Sequence, residues 1–284
     1  MPKNLKPEQV QGYEEDGYVC PVSALTSEEA ADFRKRFESY EAEHGGWYEL
    51  SKGQKLYLLQ TWAADLVRHP KVLDAVEDVL GPDIFCWGQS LFVKDANDPG
   101  FVTMHQDGTY WGLSEPDVVT AWIALSPATE QSGCMKVVPG THKMELQAHN
   151  DTLAEDNLLT RGQEIAVDVD ESDTVFMPLQ PGQLSLHHVR LVHGSAPNQS
   201  EDRRIGVAIR YIAPHVKQKE ADADSAWLVR GEDKYGYFIH ETPPNADMDE
   251  AAMAEHKRIM ALRQGVLYKG VAGKPARADV TGGM

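Results

Sequence analysis

The sequence predicts a mainly β fold with flanking helices, a sandwich or barrel against which helical segments pack. From about Ile84 to Tyr211 the chain runs in short period-two segments separated by turn residues such as Asp98-Pro99-Gly100, Pro139-Gly140 and Pro181-Gly182. That stretch lacks the strand–helix alternation that a parallel doubly wound sheet requires. Two helical segments with apolar stripes precede it, and both need a sheet to cover.

Taken in order, Thr26-Ser27-Glu28-Glu29 reads as a capping box, and Ala30, Phe33, Phe37 and Tyr40 place an apolar stripe on the helix that follows. This is expected to be the opening helix. A second helical stretch runs through Leu66, Val67, Val72, Leu73, Val76 and Leu80, interrupted at His69-Pro70 and stopped by Gly81-Pro82. Within the strand-rich region, Val119, Ala121, Ile123 and Leu125 face one way, and Thr120, Trp122 and Ala124 the other. The same split recurs later: Ile205, Val207, Ile209 and Tyr211 form a bulky apolar face, opposite Arg204, Gly206, Ala208 and Arg210. A face of small residues and two cations lines a cavity. Past Pro214 the pattern loosens into an acidic tail, with a helix predicted over Asp249 to Leu262 and a frayed end from Lys274 to Met284. The expected organisation is one domain over 1–284, with a helical part at 1–82, a strand-rich core at 83–213 and a C-terminal extension at 214–284.

With 284 residues, 42% of them hydrophobic, the chain can fill one large β domain with helical additions. Lys and Arg number 27 against 44 Asp and Glu, and the formal charge of −17 repels phosphate backbones and anionic lipids. This argues against nucleic acid and membrane partners and leaves a small molecule. Cys20, Cys86 and Cys134 are far apart and match no metal or redox spacing, so they read as free thiols in a reducing, cytoplasmic compartment.

On a strand from Phe101 to Asp107, Thr103, His105 and Asp107 share one face while Val102 and Met104 take the other. An imidazole and a carboxylate side by side are two-thirds of the facial triad that leaves half the coordination sphere of iron(II) open. In isolation such a pair is an ordinary hydrogen-bonded surface pair. His193, at the end of an apolar strand fed by Pro181-Gly182, is the candidate third ligand, and the neighbouring His187 and His188 are assigned to core or surface roles. After a turn at Pro197-Asn198, Arg204 points into the cavity, where a buried guanidinium needs an anion; the competing reading is a structural ion pair. Arg203 points to the opposite face. Arg210 shares the face of Arg204 and meets either an anionic part of the substrate or an acid at the rim.

Asp16-Gly17-Tyr18, His105-Gln106-Asp107, the run Ser132-Gly133-Cys134-Met135-Lys136-Val137-Val138-Pro139-Gly140-Thr141-His142-Lys143, and His193-Gly194-Ser195 with Asn198 and Arg204 together resemble the phytanoyl-CoA dioxygenase family of iron(II)/2-oxoglutarate oxygenases. The resemblance covers most of the chain. It implies a double-stranded β-helix, the cupin-like jelly roll. By the same resemblance His105, Asp107 and His193 hold Fe(II), Arg204 and Ser195 meet the distal carboxylate of the cosubstrate 2-oxoglutarate, and Trp122 lines its site. Thr103, on the ligand face, is placed with them. Thr141 and His142 belong to a loop that shapes the barrel. The implied reaction uses O₂ to decarboxylate 2-oxoglutarate oxidatively and hydroxylates an unactivated C–H bond. Related halogenases replace the carboxylate ligand by a small residue, so Asp107 argues against that activity.

Gln106, Tyr110, Trp111 and Arg210 are the candidate substrate residues, although Tyr110 and Trp111 equally suit a role in packing the loop. Some relatives in the family oxidise small aminophosphonates or other zwitterions, and a small polar substrate fits Arg210 better than a CoA thioester fits so acidic a surface. The rival expectation is a noncatalytic jelly-roll binding module with a structural metal.

Overall fold

The computed structural model describes residues 2–46, 54–152, 154, 156–159, 162–167 and 169–267, without the side chains of Tyr110 and residues 263–267. The predicted frayed end at Lys274 to Met284 lies outside the described residues.

Helix α1 (Pro7–Asp16) precedes the helix expected to be first. Strand β1 (Tyr18–Ser23) follows, then α2 (Ser27–His44), which starts at the predicted capping box with Thr26 Oγ1 accepting from Glu29 N at 3.1 Å. Its stripe of Ala30, Phe33, Phe37 and Tyr40 is buried. The predicted interruption at His69-Pro70 separates α3 (Thr61–Val67) from α4 (Pro70–Leu80). Pro70 opens α4, where a missing N–H costs nothing, and Gly81 ends it at φ 99°.

The strands are β2 (Ile84–Lys94), β3 (Val102–His105), β4 (Val118–Ala124), β5 (Met135–Val137), β6 (His149–Asp151), β7 (Gln163–Ile165), β8 (Val175–Phe176), β9 (Gln183–His188), β10 (His193–Ser195), β11 (Arg204–Ile212), β12 (Ser225–Arg230) and β13 (Ile239–His240). Seven of the thirteen form a large sheet in the order β1-β9-β4-β11-β2-β12-β13, four a smaller sheet in the order β3-β10-β5-β8, and β6 pairs with β7. Two sheets enclosing one cavity are the expected jelly roll. The large sheet reaches beyond 83–213, because β1 is drawn from the helical part and β12 and β13 from the C-terminal extension.

Both parity readings hold. Val119, Ala121 and Ile123 of β4 and Leu125 just past it, with Ile205, Val207, Ile209 and Tyr211 of β11, join the core under α2, α3 and α4. Thr120, Trp122, Arg204, Ala208 and Arg210 line the cavity on the other side. Arg203 points away, to Glu41 and Asp95. Burying a large aliphatic or aromatic side chain contributes roughly 1.5–3 kcal/mol, so the helix-covered face holds the sheet and leaves the cavity face to carry polar groups.

The predicted C-terminal helix is α5 (Glu250–Leu267). The extension leading to it is fastened inside the protein. Fully buried Glu241 pairs with fully buried Lys55, accepts from Tyr57 Oη at 2.5 Å and from Ser225 Oγ at 2.7 Å, while Lys55 also donates to the Ser225 carbonyl at 3.0 Å. Among the described residues no helix is long and apolar enough to cross a membrane.

Candidate metal centre

His105, the last residue of β3, pairs in register with His193, the first of β10. The two rings lie 4.2 Å apart between centroids. Asp107 opens the 3₁₀ turn Asp107–Tyr110, with Oδ1 3.3 Å from His105 Nε2. One ligand atom from each of the three lies within 4.8 Å of the others. Each imidazole also has its Nδ1 at 2.9 Å from a backbone carbonyl two residues earlier, Thr103 O for His105 and Leu191 O for His193. Those bonds make Nδ1 the donor and leave Nε2 with its lone pair, the tautomer a metal ligand needs. Two neutral imidazoles and one carboxylate on one side suit a divalent iron with open positions opposite.

The electrostatics point the same way. Burial pushes the Asp107 carboxyl up, but His105, His193 and Arg210 beside it outweigh that and hold the group ionised well below the ordinary range. Burial, then repulsion from His105, pushes His193 down to about 4. Asp107 therefore rests as an anion beside a neutral His193.

The expected face-sharing of Thr103 with His105 fails. His193 pairs with His105, but Ser195 pairs with Val102, so β3 carries one residue more than β10 over the same span. This β-bulge turns Val102 and His105 to the cavity together, and Thr103 outward. Its Oγ1 donates to Gln163 O at 2.6 Å and accepts from Asn157 Nδ2 at 2.8 Å, so Thr103 buttresses the strand. Gln106 is likewise corrected: its amide donates to Arg190 O and accepts from Gln147 N, both at 2.8 Å, and it is absent from the lining. The Tyr110 side chain lies outside the described residues. Trp111 is buried against Trp87, with centroids 5.3 Å apart, and lines the cavity. Glycine is required at 194, where a Cβ would come within 2.8 Å of Met104 Sδ and Val102 O as β10 crosses the bulge.

At one end of the cavity Arg204 is 2% exposed, donates to Gly133 O at 2.6 Å and lies over Trp122, 5.4 Å from the ring centroid. Its Nε has no hydrogen-bond partner, and no carboxylate among the described residues stands within ion-pair distance. The structural ion pair is thereby set aside. Lys94, directly opposite Arg204 on β2, was missed by the sequence reading. It is fully buried, and its Nζ reaches Ser195 Oγ at 2.8 Å and Ala196 O. Burial, then repulsion from Arg204, pushes its pKa down to about 5, and burial brings Arg204 down to about 10. A buried guanidinium with a buried amine beside it, ready to take a proton when an anion enters, makes a seat for an anion. The signal lay in the alternation Ser90, Phe92, Lys94, which faces a lysine inward. Trp122 can lie where it does because residue 206 is glycine; a Cβ there would fall inside the indole.

His187, read as a core or surface imidazole, also lines the cavity, with Nε2 3.9 Å from Asp107 Oδ2. His188 packs on His142, as a structural residue would. The Thr141 hydroxyl accepts from Val192 N at 3.0 Å, steadying the residue before His193, so the loop shapes the barrel as expected.

Residues 13–206 match the family model described as phytanoyl-CoA dioxygenase. The chain is 29% identical over 251 residues, covering 81% of itself and 83% of the relative, to a protein of Stutzerimonas stutzeri described as a probable alpha-ketoglutarate-dependent hypophosphite dioxygenase. It is 32% identical over 146 residues to the 1-deoxypentalenic acid 11-beta-hydroxylase of Streptomyces arenae, spanning 49% of this chain and about half, 51%, of that relative. Among solved structures, the non-heme monooxygenase ThoJ in its apo form superposes with a TM-score of 0.83 at 35% identity, covering 92% of this chain and 98% of the other.

Proposed function

The chain belongs to the phytanoyl-CoA dioxygenase family, and on that premise we propose that it hydroxylates a C–H bond of a small polar or zwitterionic metabolite, an aminophosphonate-like compound being one such. It is an Fe(II)/2-oxoglutarate-dependent oxygenase by family. One observation carries the assignment of residues: a single cavity joins the His105, Asp107 and His193 cluster to Arg204 and Ser195, with Lys94 behind, and no carboxylate among the described residues neutralises Arg204. In our reading the three ligands hold the iron, and Arg204, Ser195 and Lys94 seat the distal carboxylate of 2-oxoglutarate under Trp122.

The iron, with 2-oxoglutarate and O₂, supplies oxidative decarboxylation to succinate and CO₂ coupled to insertion of one oxygen atom into the C–H bond. The chain's residues bind, orient and exclude water. Leu191 O and Thr103 O keep the two Nε2 lone pairs aimed inward, and Trp122, Trp111, Phe92 and Leu159 keep the lining dry. A small polar substrate is supported by the inward Arg210 and by likeness to the hypophosphite dioxygenase. A cytoplasmic location is supported by three free cysteines.

The test is anaerobic titration of Fe(II) and 2-oxoglutarate, followed visibly for the charge-transfer band of the chelated cosubstrate, then succinate release in air. One iron per chain, the band and slow succinate formation are expected. His193→Ala should lose the band and the succinate while keeping the wild-type circular dichroism. Cosubstrate binding without succinate would favour the noncatalytic binding module.

A further inference from the structure

We propose that the end of the cavity remote from Arg204 is a seat for an oxyanion of the primary substrate, built by His187, Thr120 and Arg210 on one rung of the large sheet. This rests on the oxygenase reading and adds to it what the substrate must carry.

The rung follows from register. His187 of β9 pairs with Thr120 of β4, and Thr120 pairs with Arg210 of β11. Directly paired residues project to the same side of a sheet, and all three line the cavity. Two residues before His187, on the same face, stands Ser185. The Thr120 hydroxyl, the Ser185 hydroxyl and His187 Nδ1 are all buried without a hydrogen-bond partner. Buried polar atoms are almost always paired, so three on adjacent positions of one wall mark a place where a polar ligand completes the set. Arg210 brings the charge. Its guanidinium donates to Ser90 Oγ at 2.6 Å and lies over Trp111, 5.6 Å from the ring centroid, which holds the fork in place. A guanidinium with hydroxyl and imidazole neighbours is the donor set that recognises a carboxylate, phosphonate or phosphinate.

This seat is separate from that of the cosubstrate. Arg204 and Arg210 are six residues apart on β11, roughly 20 Å along a strand rising about 3.3 Å per residue. Trp122 and Ala208 lie between them. The cosubstrate anchor at Arg204 and the seat at Arg210 therefore start from opposite ends of the strand. The seat does touch the metal centre, through His187 Nε2 at 3.9 Å from Asp107 Oδ2. A substrate anchored there by its anionic head holds its neighbouring carbons beside the cluster, so head-group recognition sets which C–H is presented.

The experiment is anaerobic calorimetry on the protein loaded with Fe(II) and saturating 2-oxoglutarate. Methylphosphonate, hypophosphite and propionate are the oxyanion probes, and propionamide is the neutral isostere. At least one oxyanion should bind while propionamide does not, and the tighter class, phosphorus or carboxylate, names the head group. Thr120→Val, which keeps shape and removes only the hydroxyl, should weaken that oxyanion about tenfold or more, and Arg210→Met should abolish its binding. Both should leave 2-oxoglutarate affinity within about twofold. Equal binding of propionamide, no oxyanion binding to the wild type, or unchanged oxyanion affinity in Thr120→Val would overturn the proposal. So would a loss of 2-oxoglutarate affinity in Arg210→Met matching its loss of oxyanion affinity. If the charge-transfer band never forms, the oxygenase reading fails separately, and oxyanion binding to the metal-free protein still tests the seat.

Discussion

Replacing Lys94 by methionine should make the ligand-free protein more stable and the cosubstrate bind worse. An ordinary lysine titrates near 10.4, whereas burial and Arg204 push Lys94 down to about 5. At pH 8 the folded protein holds as a neutral amine a group that is charged in the unfolded chain. That costs about 3 kcal/mol, at 1.36 kcal/mol for each pH unit between 8 and about 10.4. Methionine removes this cost but gives up the bonds to Ser195 Oγ and Ala196 O, worth about 1–2 kcal/mol together. The net gain of about 1–2 kcal/mol corresponds to a melting temperature roughly 2–6 °C higher for a chain of this size. The sign with pH follows from a folded pKa below the unfolded one. The penalty is absent well above 10.4 and grows as pH falls toward 5, so the advantage of Lys94→Met should widen from pH 9 to pH 7. Thermal melts at those pH values read it. Adding Fe(II) and 2-oxoglutarate should then reverse the order, because only the wild type gains a second cation for the distal carboxylate. A variant that melts lower than wild type at every pH, with a gap that does not change, would refute the reasoning.

Gly206→Ala should drive a methyl group into the Trp122 indole, costing about 1–3 kcal/mol as overpacking and tilting the ring off Arg204. Its 2-oxoglutarate affinity, read by calorimetry, should fall while iron binding is retained. Glu241→Leu should cost about 3–5 kcal/mol by stranding Lys55 as a buried charge, visible as a lower urea midpoint, and Lys55→Met in the same chain should recover much of that loss.

How much of this was legible in the sequence depends on what each element packs against. Strands β4 and β11 lie between a helix-covered core and a cavity, so alternation alone separated Ile205, Val207 and Ile209 from Arg204, Ala208 and Arg210. The capping box of α2 is local chemistry and needs no partner. Helix α1 was missed because it buries only Tyr13 and carries Gly12 in its interior, giving no stripe to read. The bulge in β3 was also invisible: Thr103-Met104 contains neither Gly nor Pro, and the extra residue shows only once β10 lies alongside. Parity therefore placed Thr103 on the wrong side although it placed His105 correctly. His187 is different, since its signal was present. Leu184 and Leu186 belong to the helix-side core, so Ser185 and His187 had to face the cavity.

The extra residue between Val102 and His105 is absorbed by the bulge, which lets two side chains three apart in sequence share the cavity wall. Deleting either Thr103 or Met104 would leave Val102 and His105 two residues apart, the spacing of Ser195 and His193 across the pair, so a regular ladder would keep the imidazole on the same wall. A lineage could therefore lose one codon there, straightening the strand, and still present the imidazole to the cavity.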